Sequence, residues 1–226
     1  MKASQSGFTL IEIAIVLVVI GLLIGGIIKG QSLIDSAKMK NLANDFKHIP
    51  VYIYGYEDMF RSVPGDEDQN ELNRQFAPAG TATACTPAAA SHCVMDNGII
   101  DGDWDANSIT DESFVFWQQI RLAGFETGPT NTSDPDYRPT NAVGGYMGVT
   151  NASQSPINNM KGSYIFCSDD IPGKLAKRLD ISLDDGNTQT GYMQVVPAGT
   201  SSSAPANPLA IANINDDSLY LVCMSH

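Results

Sequence analysis

A long apolar run near the N-terminus constrains this chain more than any other feature of its sequence. From Phe8 to Ile28, 21 residues carry a single charge, at Glu12. As an α-helix the run would be about 31 Å long, and the hydrocarbon core of a bilayer is about 30 Å thick. No small-x-small cleavage site follows the run, as it would in a secretory signal peptide. The sequence therefore predicts a retained transmembrane helix at residues 8–28.

The start of this run forms a short motif, Gly7-Phe8-Thr9-Leu10-Ile11-Glu12. The motif resembles the processing signature of type IV pilins and type II secretion pseudopilins, and the likeness covers residues 7–66. The resemblance implies that a prepilin peptidase cuts between Gly7 and Phe8, which removes a leader of residues 1–7, and methylates the new amine of Phe8. It also identifies Glu12 as the glutamate that lies five residues into the mature chain of such subunits.

Glu12 places a carboxylate inside a predicted membrane helix, where a charge costs about 2.5–3.5 kcal/mol on insertion scales. One partner for it is the freed amine of Phe8, on the same chain or on a neighbouring subunit. A neighbour's amine would set the axial register of a helical, non-closing assembly. The alternative is a carboxylate at the lipid interface near a helix end. The motif favours the assembly role.

The negative charge of the chain lies beyond residue 60. Residues 1–60 carry five basic and five acidic side chains, whereas residues 61–226 carry eight basic and 20 acidic ones, for a formal net charge of −12. Nucleic-acid-binding proteins present a basic face, so the sequence predicts no nucleic-acid partner. The three histidines have no nucleophile or metal-ligand partner at a recognisable spacing, and no phosphate-binding loop is present. The sequence therefore predicts that the protein is not an enzyme.

The helix is predicted to continue beyond Lys29 as an amphipathic stem over residues 29–60. One apolar stripe recurs there at spacings of four and three; its members are Leu42, Phe46, Ile49, Ile53, Tyr56 and Phe60. Pro50 removes one backbone hydrogen bond and is expected to bend the stem. Pro64-Gly65 then forces a turn, and residues 61–226 are predicted to form a globular head.

The head is predicted to be α+β. Strand patterns occur at residues 146–150, 163–167, 191–196 and 218–224, and short helical patterns at residues 111–123 and 172–180. Residues 67–100 are expected to be a surface excursion, because the stretch from Ala77 to Ala90 is rich in Ala, Thr and Pro. Strands that follow helices in one chain favour an antiparallel sheet. The expected fold is thus a long N-terminal transmembrane and stem helix with an antiparallel β-sheet head, which is pilin-like.

Four cysteines lie in the predicted head, at Cys85, Cys93, Cys167 and Cys223. They allow three pairings. Proximity and strand placement favour Cys85–Cys93 and Cys167–Cys223, and the second pair resembles the disulfide that ties the C-terminal strand to the sheet in many pilins. Disulfides belong in oxidising compartments, so the head is predicted to lie in the periplasm, or outside the cell when assembled.

One acidic segment of the head has the spacing of an EF-hand loop. Its donors are Asp101, Asp103, Asp105 and Asn107, with Glu112 at the twelfth position. Alanine stands where the loop prefers glycine, and no entry helix precedes the segment, so a calcium site and a solvated acidic turn both remain open. A second candidate for calcium, Asp184-Asp185-Gly186-Asn187, is predicted to form just a tight turn.

Together these features predict a subunit of a bacterial type IV pilus-like filament that begins as an inner-membrane precursor. The resemblance implies three partners: the prepilin peptidase, other pilin subunits and the inner-membrane assembly machinery. One alternative is a pseudopilin of a type II secretion system, and the subunit could be a minor one in either kind of filament. The other is a membrane-anchored binding domain that never polymerises, which predicts no cut after Gly7 and no subunit partner for Glu12.

Overall fold

The structure is a computed structural model that describes residues 9–78, 80–88 and 92–226. A long N-terminal helix precedes a four-stranded antiparallel sheet with short helices, which confirms the α+β, pilin-like fold. The helices are α1 (Leu10–Phe60), α2 (Gln69–Gln75), α3 (Glu112–Leu122) and α4 (Gly173–Leu183). The strands are β1 (Met147–Thr150), β2 (Ile165–Pro172), β3 (Met193–Pro197) and β4 (Leu219–Ser225).

The chain divides into two compact units, residues 1–38 and residues 39–226. The described part of the first unit is the N-terminal stretch of α1, and by length and composition α1 could cross a membrane. The second unit contains the remainder of α1 together with the sheet and the other helices. The predicted division at residue 61 therefore separates elements that share one hydrophobic core.

The apolar stripe of the stem forms one side of that core. Its buried members are Met39, Leu42, Ala43, Phe46, Ile49, Ile53 and Tyr56. The ring of Phe46 packs edge-on against Phe166 of β2, with ring centroids 4.9 Å apart. A Cβ at Gly55 would lie 2.6 Å from the ring of Phe125, so the absence of a side chain there lets α1 approach the segment after α3. The helix continues through Pro50.

The sheet has the strand order β1-β2-β4-β3, and every neighbouring pair is antiparallel. Successive side chains on a strand point to opposite faces, and both faces are covered here. Phe166 of β2 joins the main core, whereas its neighbours Ile165 and Cys167 join a second cluster with Trp104 and Met160. The sheet is therefore buried on both faces, which explains why its strands are rich in apolar residues.

The prediction that residues 67–100 form only a surface excursion is wrong. This stretch contains α2, which begins after Asp68, whose carboxylate accepts the N–H of Glu71 at 2.8 Å. Leu72 is fully buried, and Ala82 is 2% exposed within the main core. Small side chains fill narrow gaps between larger neighbours in close-packed interiors, so an alanine-rich composition did not exclude a core position.

A buried carboxylate fastens the chain where it reverses after α1. Glu67 is fully buried and accepts hydrogen bonds from the hydroxyls of Tyr56 and Ser62 and from the amide of Gln75. Three donors compensate for the water that the carboxylate loses on burial. They also connect the last turns of α1 to α2.

Two disulfides join the four cysteines in the structure, Cys85–Cys93 and Cys167–Cys223. Cys167 of β2 lies directly opposite Cys223 of β4 in the strand register. Because these two strands are central in the sheet, this bridge holds the C-terminal strand in the middle of the fold.

Removing the bridge between β2 and β4 should destabilise the head more than removing the short one. Cys167 and Cys223 are 56 residues apart, whereas Cys85 and Cys93 are 8 residues apart. From loop-closure entropy, the longer bridge should stabilise the folded state by about 4 kcal/mol and the shorter one by about 2.6 kcal/mol. We expect Cys167→Ala with Cys223→Ala to lower the free energy of unfolding by the larger amount, measured by urea unfolding of the full chain in detergent. The matched control is Cys85→Ala with Cys93→Ala. An equal or larger loss of unfolding free energy in the Cys85→Ala, Cys93→Ala control would contradict this prediction.

Candidate functional site

The first turn of α1 holds Glu12 in a capping box with Thr9. The Thr9 N–H and the Thr9 hydroxyl each donate to Glu12 Oε2 at 2.7 Å, and the Glu12 N–H donates to Thr9 Oγ1 at 3.4 Å. This reciprocal pattern satisfies backbone N–H groups that have no partner inside a helix. Sequence reasoning missed this role, although a Thr three residues before a Glu at the start of an apolar run is its usual signal.

Capping leaves Glu12 able to take a further partner. Its hydrogen bonds from Thr9 go to Oε2, and among the residues that the structure describes none donates to Oε1. The side chain is exposed, so an ammonium group could reach Oε1 while the cap stays in place. The positive end of the helix dipole favours a carboxylate at this position. Gly7 and Phe8, the predicted processing residues, lie outside the described residues.

The apolar surface of the first unit is unusually large. Every Leu, Ile and Val between Leu10 and Ile28 is at least 45% exposed. Exposed apolar patches of this extent mark membrane or protein interaction sites. This segment therefore has to be covered by lipid or by other apolar helices.

Two side chains of the predicted EF-hand-like loop, those of Asp101 and Glu112, are held by other partners. The carboxylate of Asp101 accepts hydrogen bonds from the amides of Asn97 and Asn151, at 2.7 and 2.9 Å. Glu112 is fully buried, and its two oxygens accept the N–H groups of Val94 and Asp101, both at 2.8 Å. Burial raises the pKa of Glu112 to about 8. Glu112 thus ties the segment before α3 to the start of that helix.

The structure does not gather these side chains into a cation site. In the described part of the chain, no three carboxylates among Asp101, Asp103, Asp105 and Glu112 bring ligand oxygens within 4.8 Å of one another. Ser113 of α3 donates its hydroxyl to the Asp103 carbonyl at 2.8 Å, so the loop is fastened through its backbone. Calcium binding by these four residues and Asn107 stays a prediction that this geometry does not support.

A cavity of about 280 Å³ lies between α1 and the segment that follows α3. Its lining contains both acidic and basic side chains: Asp45, Glu126, Asp136, Arg121 and Arg138. Tyr52 donates its hydroxyl to Glu126 at 2.5 Å. Burial and the charge of Glu126 raise the pKa of Asp45 to about 6. These contacts connect the stem to the head and form no recognisable catalytic arrangement.

The family model of the prokaryotic N-terminal methylation motif matches residues 2–28. No curated protein and no solved structure matches the chain. The matched residues include the capping box around Glu12 and the exposed apolar stretch of α1. This motif points to a structural protein, and it implies processing by prepilin peptidase and assembly with pilin subunits. The chain therefore carries a prepilin motif of the type IV pilin and pseudopilin type at the start of a pilin-like α+β fold.

Proposed function

We propose that this protein is a structural subunit of a type IV pilus-like filament. Its leader, residues 1–7, is removed by prepilin peptidase, and residues 8–28 hold the subunit in the inner membrane with its head in the periplasm. Residues 29–60 form the stem, and the assembled filament is periplasmic or extracellular. The observation that carries this proposal is the methylation motif on a helix whose apolar side chains are exposed.

Assembly follows from the surface of α1. Moving the exposed apolar side chains between Leu10 and Ile28 from lipid into water would be strongly unfavourable, whereas moving them from lipid into a bundle of other apolar helices changes their free energy little. A filament whose centre consists of such helices keeps them out of water throughout. The acidic heads would then lie on the outside, where their negative charge keeps the surface hydrated.

Glu12 supplies the specific contact in this proposal. Packing between apolar helices alone does not define which turn of one helix lies beside which turn of the next. A pair between the Oε1 atom of Glu12 and the methylated amine of a neighbour's Phe8 would fix that register. The capping box supports this role because it orients the carboxylate without using both of its oxygens.

A pseudopilin of a type II secretion system is the second candidate, because the motif at residues 2–28 is common to both kinds of subunit. A pilus subunit should appear in filaments on the cell surface. A pseudopilin should remain in the envelope unless it is overproduced. Immunogold electron microscopy of cells with and without the protein would separate the two. If the protein is a membrane-anchored domain that never polymerises, no filament should be labelled, whether the protein is made at its normal level or overproduced.

The proposed function is tested most directly by the mass of the protein from wild-type cells. We expect a mature chain that begins at Phe8 and carries one added methyl group, because the peptidase both cuts and methylates. Intact-mass spectrometry measures both changes at once. Protein from cells that lack the peptidase is the control and should retain residues 1–7. A chain from wild-type cells that still begins at Met1 would refute the proposal.

A further inference from the structure

Three aspartates converge where α4 ends and the chain turns toward β3. They are Asp180 in α4, and Asp184 and Asp185 directly after it. Each offers a carboxylate oxygen, and the three oxygens lie within 4.8 Å of one another. Like charges at this separation repel one another strongly unless something neutralises them.

Asp180 is the side chain that the rest of the structure leaves unexplained. It is 0% exposed, and neither of its carboxylate oxygens has a hydrogen-bond partner. The charges that act on it come from Asp184 and Asp185, and both are negative. A buried carboxylate without a partner is costly, and buried unsatisfied polar groups in native proteins are few. A proton or a cation must therefore compensate for this group.

The chain after α4 holds the other two carboxylates in place. The Met193 N–H donates to Asp184 Oδ2 at 2.8 Å, and the Asn187 N–H donates to Asp185 Oδ1 at 2.8 Å. A Cβ at Gly191 would lie 2.1 Å from Asp184 Oδ2, so the glycine makes room for that carboxylate. Asp185 is exposed, which leaves the outer side of the cluster open to water.

We propose that Asp180, Asp184 and Asp185 bind a calcium ion. A set of oxygen ligands with three negative charges suits a hard divalent cation. Magnesium demands a near-ideal octahedron at about 2.1 Å and loses its waters reluctantly, whereas calcium takes about six to eight oxygens at about 2.4 Å. Calcium also accepts irregular sites, in which water completes the coordination on the open side.

The competing explanation is a proton on Asp180. Burial, with the charges of Asp184 and Asp185, raises the pKa of Asp180 to about 7. If a proton alone compensates the group, calcium should have no effect and Asp180→Asn should be tolerated. If calcium compensates it, the ion ties the end of α4 to the connection before β3 and stabilises the folded protein by mass action.

The test uses the full chain in detergent, stripped with EDTA and titrated with calcium chloride in a calorimeter. We expect one ion per chain and, at a hundredfold excess over the dissociation constant, a melting temperature about 5–10 °C higher than in EDTA. Asp180→Asn and Asp185→Asn should each lose the binding heat and the shift. The matched control is Asp216→Asn, which removes an exposed carboxylate bound to Lys177 of the same helix at 2.7 Å and should keep both.

Several results would overturn the calcium site. One is a wild-type protein that releases no heat with calcium and melts at the same temperature in chelator. Another is binding that persists in Asp185→Asn, a variant whose exposed position should not affect folding. Binding lost in Asp103→Asn and kept in Asp180→Asn would assign the ion to the earlier acidic loop. An equal shift with the same concentration of magnesium chloride would refute the choice of calcium.

Discussion

Cells that carry Glu12→Val should make, insert and cleave the subunit but assemble few or no filaments. The change makes the helix more apolar, so insertion should not suffer. In the proposed assembly it leaves a neighbour's amine without a partner, and removing one member of a buried ion pair costs about 3–5 kcal/mol. Each 1.4 kcal/mol is tenfold in an equilibrium constant, so subunit association should weaken by a factor on the order of a hundred or more.

The capping box requires a second variant, because valine removes the cap and the charge together. Glu12→Gln keeps an oxygen that can accept from the Thr9 N–H but carries no charge. If the neighbour's amine is the partner, Glu12→Gln should fail to assemble as Glu12→Val does. Thr9→Ala, which removes the capping hydroxyl and keeps the carboxylate, should assemble far better than either.

Filament yield is measured by immunoblot of the sheared surface fraction, and cleavage by intact mass of the membrane fraction. Both readouts are needed because only normal cleavage together with a low filament yield assigns Glu12 to assembly. Normal yield from Glu12→Gln with low yield from Glu12→Val would mean that Glu12 acts as a helix cap. Normal yield from both would leave it as an interfacial residue.

Gly7→Glu should leave the whole precursor uncut. A peptidase that cleaves after a glycine has to admit the backbone at that point, and a long charged side chain would block the approach. We expect the membrane fraction to contain only the chain that begins at Met1, without the added methyl group, and the surface to carry no filaments. Mass spectrometry and gel mobility report the first result.

The matched control for this variant is Ser4→Glu, which adds the same charge to the leader three residues before the glycine. It should be cleaved, since the position next to the cut is unchanged. A normally cleaved Gly7→Glu protein would show that the peptidase does not cut at Gly7. Failure of both variants would instead indicate that any added negative charge in the leader prevents processing.

Local sequence patterns were sufficient to predict the helix α1 and the strands of this protein. The apolar run and the stripe from Leu42 to Phe60 predicted α1, and alternation of apolar residues located all four strands of the sheet. These signals are readable because helices and strands bury one side of a periodic pattern. The prepilin motif was equally local, since a peptidase reads a short contiguous segment.

Contacts between residues far apart in the sequence could not be predicted from local patterns. Ala82 is buried in the same core as residues of α1 and α3, although the composition of its segment alone indicated a loop. The EF-hand-like spacing did not reveal that Asp101 accepts a hydrogen bond from Asn151 and Glu112 one from Val94, because neither donor lies within the segment that the spacing describes.

The sequence by itself thus determined the long apolar N-terminal helix, the strands and the prepilin motif, because each is encoded in neighbouring residues. Only the tertiary structure decided which carboxylates are compensated. Glu67 is buried and accepts hydrogen bonds from three donors. Asp180 is buried next to Asp184 and Asp185, and no donor among the described residues reaches its carboxylate. In sequence the two are similar acids close to other acids. Their difference arises because burial and the supply of hydrogen-bond donors depend on the packing of the whole fold.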